Sequence, residues 1–202
     1  MKKSLGPKAF GFPVPVFVVG SYMEDYKANI MAAAAAGVCC LSPPCIYVSL
    51  REATATYHNI IRNNAFTVNI PSEEYISETD YVGIASGKKF DKFLETDLTP
   101  VKSDLVNAPY VNEFPLVMEC KLKETVNLGS HTMFIGEVID LKADNDFLTS
   151  IIVKSDLELS KVDIEKIKPF SYDLSLREYY KLGDKAGKGF SAGLKLLNKN
   201  NK

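Results

Sequence analysis

No C-x-x-C pair occurs in this 202-residue chain, and it has two histidines, His58 and His131. A structural zinc site needs four well-placed ligands, so the supply is too thin for a zinc framework. The four cysteines are Cys39, Cys40, Cys45 and Cys120. A chain long enough to bury about 70% of its unfolded surface needs no disulfide staples, and the cysteines read as structural thiols. Neither charge is in excess: 24 basic against 25 acidic residues leave −1, which argues against nucleic-acid and anionic-membrane partners. No apolar run approaches the ~20 residues of a membrane span. AFGFPVPVFVVG follows Lys2 and Lys3 and has the apolarity of an export signal. Pro13 and Pro15 would break its helix, and no small-x-small cleavage site follows, so a cytoplasmic protein is expected. Internal repeats are lacking, as is the Gly-x-Gly-x-x-Gly fingerprint of a dinucleotide domain.

What is present is a series of short strands. Val14–Gly20 is β-branched and aromatic. NIMAAAAAGV follows it across a polar turn as a partner strand. Alanine is the best helix former, yet this run is short, uncapped and closed by Gly37, Pro43 and Pro44. It reads either as a tight small-residue contact or as a wall for something large and flat. Cys45–Leu50 is a short buried strand. A helix is expected after Thr56 as N-cap, with Tyr57, Ile60 and Ile61 at helical spacing. Ala65–Ile70 is a strand, and Glu73–Phe93 is mostly helical with a break at SGKK. Thr99–Phe114 reads as a loop. Leu116–Glu124 alternates, with Glu119, Lys121 and Lys123 on its polar side, and Met133–Leu141 is the next strand.

Six or seven strands in one antiparallel run, with one or two inserted helices, favour a small barrel or sandwich over a parallel sheet. Residues 1–150 form the domain on this reading. Residues 151–202 are too poor in apolar side chains for a second domain. They are expected as a C-terminal arm packing on the barrel or on a dimer partner, with a disordered Lys/Asn-rich end.

Several motifs in order resemble the flavin reductase-like family, and most of all its flavoredoxin branch. PVPVFVVGS with NIMAAA is similar to the family's opening hairpin. SPPCIYVSLR resembles its PP-strand-Ser-x-Arg segment, and ATYHNIIRNNAFTVNIP its helix and following strand. DYVGIASGKKFDKF, GSHTMFIGEV and YYKLGDKAGKGFSAG resemble three further signatures, so the likeness runs from about Pro13 to Gly193. It implies a mainly β fold, an antiparallel Greek-key split β-barrel that binds FMN, and a homodimer.

The resemblance also implies a site. The strand bearing Asn29, Met31, Ala32 and Ala33 would let the flavin ring approach its backbone. Arg51 with the helix N-terminus at Thr56 would hold the FMN phosphate. Ser49 would bond a ribityl or ring oxygen, or else be a plain edge hydroxyl, and Leu50 would join the cofactor-binding residues. Ser86, Lys88 and Lys92 would close over the phosphate, with Lys92 as the second cation. Each has a plainer alternative: surface charge and a routine N-cap for Arg51 and Thr56, a strand-turn cap for Asn29, a solvated charge for Lys88. His131 is the catalytic candidate, able to orient a nicotinamide or hold a proton, or else a structural hydrogen-bonding residue. Here Ser130 stands where the family pattern has Asp. The leading expectation is an NAD(P)H-dependent flavin reductase. The alternatives are a flavoredoxin-type carrier fed by a redox protein such as ferredoxin, and a non-redox FMN-binding module. Hydride transfer to a flavin needs no protein nucleophile, and no catalytic triad is expected.

Overall fold

Phe17–Tyr22 and Ala65–Ile70 are apolar or small at nearly every position, without alternation, because both faces of each strand are covered. In the computed structural model, which describes residues 1–153 and 157–197, they sit inside a seven-stranded antiparallel sheet. The strands in chain order are β1 (Val14–Pro15), β2 (Phe17–Tyr22), β3 (Ala28–Ala33), β4 (Ala36–Leu41), β5 (Pro44–Leu50) and β6 (Ala65–Ile70). They continue as β7 (Pro100–Lys102), β8 (Pro109–Val111), β9 (Leu116–Asn127) and β10 (Thr132–Ala143). The large sheet runs β3-β2-β6-β9-β10-β5-β4.

Curling brings β3 and β5 into contact, and the Ser49 amide donates to Ala35 O at 2.8 Å. The inner faces meet in one core: Phe17, Val19, Ile46, Val48, Phe66, Val68 and Phe134. Gly136 is required there, because a Cβ would press on the Phe66 ring and on Cys120. Outside the barrel a second core joins Val18 and Ile30 to Val82, Phe93 and Phe114. This explains the run of apolar residues in β2: Val19 faces in, and Val18 faces the helices.

Three helices pack on the barrel: α1 (Ala55–Asn63), α2 (Ile76–Ile84) and α3 (Lys92–Thr96). The N-cap of α1 is Thr54, whose hydroxyl accepts from the Tyr57 amide, and not Thr56 as its spacing suggests. The buried face of α1 mixes polar and apolar side chains. Thr56, Asn59 and Ile60 point inward, while Ile61 is half exposed. Asn59 donates to Ser21 Oγ at 3.1 Å, and Arg62 to Tyr22 O at 3.0 Å. The 99–114 region is more than a loop. Its β7–β8 hairpin covers the outer face of β6, where Asn69 donates to Val18 O and accepts from the Val111 amide.

Beyond residue 147 come the hairpin β11 (Leu148–Val153) and β12 (Leu157–Val162), helix α4 (Ile164–Ile167), strands β13 (Phe170–Asp173) and β14 (Glu178–Lys181), and α5 (Leu194–Leu197). β13 pairs with β1 and β14, and Phe170 and Ile167 are buried, so this part of the arm lies on the barrel. The Lys/Asn-rich end expected to be disordered, 198–202, lies outside the described residues. Among the described residues no helix is long and apolar enough to cross a membrane.

Candidate functional site

The alanine run is extended, as the flanking Gly and Pro require, but it is not one strand. Ala32 and Ala33 end β3, Ala34 and Ala35 bend, and Ala36 opens β4. The small side chains have separate uses. Ala33 and Ala36 are buried in the barrel core. Ala32 faces α2, where a Cβ on Gly83 would come within 3.3 Å of its own. Met31 packs on the core from its rim. What β3 and the bend can present to a ligand is therefore chiefly backbone at Ala34 and Ala35. Leu50 is likewise in the core, and Ser49 is half-buried opposite Met133.

Around the N-terminus of α1 three expected segments converge. Asn29 of β3 is buried and donates through Nδ2 to Thr56 Oγ1 at 3.0 Å. Gly87 presses on the other side of Asn29, close enough that any Cβ there would overlap Oδ1. Lys88 reaches across and donates from Nζ to Ala53 O at 3.2 Å. The β5–α1 loop is itself braced, since Thr54 donates from both its amide and its hydroxyl to Arg51 O. Arg51 is exposed, and among the described residues no carboxylate forms an ion pair with Arg51 or Lys88. A helix N-terminus leaves backbone N–H groups without intrahelical acceptors. Two cations beside it make a donor set suited to a phosphomonoester.

Thr56 and Asn29 are thus drawn together, as a tie between strand and helix. Lys92 departs from expectation. It is 3% exposed, its Nζ donates to Val82 O at 2.7 Å near the C-terminus of α2, and burial pushes it down to about 8. An ammonium held there, favoured by the carbonyl end of the helix, is not offered to a phosphate at the surface. Ser86 is exposed and accepts from the Lys88 amide at 3.4 Å, which shapes the turn that carries Lys88.

His131 lies at the tip of the β9–β10 hairpin. Thr132 pairs with Leu50, so His131 and Arg51 are the first residues beyond the last pair of these strands. Ser130 Oγ is 2.9 Å from His131 Nδ1. A hydroxyl can orient the ring through this hydrogen bond but brings no charge to it. Gly87, Ala53 and Thr54 belong to the site without having been singled out. The one signal for Gly87 was its place in the SGKK break. Two hollows of the surface lie elsewhere, 420 Å³ beside Lys27, Asp91 and Phe93, and 460 Å³ against β4 and β5. Among the described residues no group of three His, Cys, Asp or Glu could hold a metal.

Known proteins share this fold. The flavin reductase like domain matches residues 9–154. The flavoredoxin of Desulfovibrio vulgaris (Miyazaki F) is 48% identical, covers 96% of this chain and 100% of its own, and superposes with a TM-score of 0.86. The flavoredoxin from Methanosarcina acetivorans is 28% identical over 97% and 99% of the two chains, with a TM-score of 0.85. A ferric-chelate reductase (NAD(P)H) of Archaeoglobus fulgidus is 25% identical over 120 residues, 59% of this chain and 69% of that protein. The chain has the split barrel and belongs to the flavin reductase-like domain family.

Proposed function

We propose that this chain binds FMN and works as a flavoredoxin-type electron carrier. The observation that carries the FMN reading is the meeting of Arg51, Lys88 and the α1 N-terminus around the Asn29–Thr56 tie. Bound FMN would supply the redox chemistry; the chain's own residues bind and position it. Arg51 and the first-turn amides of α1 take the phosphate, with Lys88 as the second cation in place of Lys92. Backbone at the Ala34–Ala35 bend borders the ring, and the His131 ring, oriented by Ser130, stands near it. Two observations favour a carrier over a nicotinamide-driven reductase. Likeness to a flavoredoxin, at 48% identity, covers 96% of the chain, and Ser130 gives His131 a neutral partner where a carboxylate would balance charge.

The test is anaerobic visible spectroscopy of the protein loaded with FMN. Flavin bands that persist with NADH or NADPH but bleach with dithionite or reduced ferredoxin support the carrier. Bleaching within seconds by nicotinamide would establish the second reading, an NAD(P)H-dependent flavin reductase, which His131 beside Arg51 favours. Absence of flavin binding would overturn both.

Two substitutions probe the parts. Gly87→Ala places a methyl group on Asn29 Oδ1. The loss of one hydrogen bond, about 1 kcal/mol, should weaken FMN about fivefold; unchanged affinity in a fluorescence titration would detach the Asn29–Thr56 tie from the site. His131→Ala should leave FMN affinity as it was and slow flavin reduction by reduced ferredoxin about tenfold, worth about 1.4 kcal/mol. Equal rates would reduce His131 to a turn residue. The proposal includes a homodimer. Ile84, Phe90 and Leu128 flank the Lys88 loop and the His131 turn with exposed apolar surface that a second copy could cover. Equilibrium sedimentation should give twice the 22.3 kDa chain mass, and a single-chain mass would refute pairing.

A further inference from the structure

Three of the four thiols lie on the β4–β5 hairpin, and the strand register sets two of them face to face. Cys40 and Cys45 are direct partners across the pair, one step from the Leu41–Pro44 pair that closes the turn. Directly opposed residues of an antiparallel pair project from the same face, with Cα atoms about 4.5–5.5 Å apart. A disulfide spans Cα separations of about 4.4–6.8 Å, so this pair can close without moving the strands apart. Cys39 falls at the register shift between Val38 and Cys40, and it is exposed. Cys120 is buried in the barrel core. All four are free thiols.

Access is graded across the pair. Cys40 is half-buried and Cys45 buried, and both line the 460 Å³ hollow with Val38, Leu41, Met118 and Val138. Burial, then the neighbouring Cys40, push the Cys45 thiol up. Lys123, held by Glu137 at 2.6 Å, draws it down, while Cys39 and Glu137 add to the rise. Cys45 is the less accessible thiol of the two. Cys40 is the entry point and Cys45 resolves. The pair is also remote from the flavin site. Five residues of β5 lie between Cys45 and Arg51, and those six steps of extended chain span about 20 Å.

We propose that Cys40 and Cys45 are a thiol–disulfide redox pair, a second redox site on this chain, whose substrates are small-molecule disulfides. The Cys40 thiolate attacks one sulfur of the disulfide. A Cys40–S–S–R bond forms as the reagent's S–S bond breaks, and RS⁻ leaves to take up a proton. The Cys45 thiolate then attacks Cys40 Sγ and expels the second RS⁻. Two protein thiols give up two electrons and two protons, and the reagent becomes two thiols. The product staples the hairpin across its turn and closes one wall of the hollow.

The experiment equilibrates the full chain in glutathione redox buffers, blocks remaining thiols by alkylation and maps tryptic peptides by mass spectrometry. Cleavage after Lys27 and Arg51 leaves Cys39, Cys40 and Cys45 in one peptide. In oxidised buffer that peptide should carry one alkyl group and an internal bond, its mass lower by two hydrogens, and revert in reduced buffer. Cys39→Ser should keep the internal bond, Cys40→Ser should abolish it, and FMN affinity should be the same in both. An internal bond that survives Cys40→Ser overturns the assignment. So does a wild-type peptide that acquires glutathione without closing. Cys40 is half-buried, so its serine variant tests the pair even if replacing the buried Cys45 unfolds the chain.

Discussion

Arg51→Ala is expected to raise the Kd for FMN by about 10- to 100-fold. The guanidinium follows β5 directly, beside an N-terminus of α1 that is fixed by the Thr54 cap and by both hydrogen bonds to Arg51 O. A charge-assisted hydrogen bond is worth about 1.5–3 kcal/mol, and each 1.4 kcal/mol is a factor of about ten. Arg51 is exposed, so salt screens part of this, and the larger loss belongs to low ionic strength. Lys88→Ala should cost less, because the ammonium already divides its hydrogen bonds with Ala53 O. Riboflavin, which has no phosphate, supplies the control. Arg51→Ala should weaken FMN and leave riboflavin unchanged. Equal weakening of both flavins would mean that Arg51 shapes the loop and binds no phosphate.

The barrel was legible because its strands announce themselves by composition. β-branched and aromatic runs bounded by Pro and Gly gave β5 and β6 nearly to the residue, while the expected strand Val14–Gly20 is split into β1 and a β2 that runs on to Tyr22. Other features depended on what covers each face. Alternation in Leu116–Glu124 put Glu119 with the lysines on the solvent side, yet Glu119 is wholly buried and Lys121 is exposed. The same strand face is covered at one end and open at the other, which no local pattern encodes. Thr56 failed as a cap for a related reason. Thr54 is an equally good cap by type, and what separates them is the partner Asn29, 27 residues away. Lys92 reads as a surface cation in any composition count. Its burial follows from Asp91 capping α3 and aiming the next side chain back at α2.

Candidate site residues stand apart where a loop carries them and blur where a core needs them. Arg51, Lys88 and His131 sit on connections held by the scaffold, where a charged or ionisable side chain has little structural reason to recur in a motif. Ala32, Ala33 and Leu50 satisfy packing first, so their identities carry two messages that a sequence cannot separate.

Glu119 sets the largest expected loss of stability. Its carboxylate is fully buried, with Lys142 Nζ 3.1 Å from Oε2, and the same ammonium reaches Asp140 at 2.9 Å. The Glu119 contact is ionic and poorly directed, since neither carboxylate oxygen has a well-aligned hydrogen-bond donor among the described residues. Asp140 first, and then Glu119, hold the Lys142 ammonium well above the ordinary lysine range. Lys142→Met removes the counter-charge and leaves the carboxylate stranded. Such losses run about 3–5 kcal/mol, and the lower end applies because solvent reaches a third of the Lys142 side chain. Urea denaturation at neutral pH measures this loss directly. Glu119→Gln combined with Lys142→Met should recover most of the loss, because a neutral amide asks for no counter-charge. If the double variant is as unstable as the single one at neutral pH, then Lys142 acts through packing and Asp140 alone, and the buried carboxylate is balanced from elsewhere.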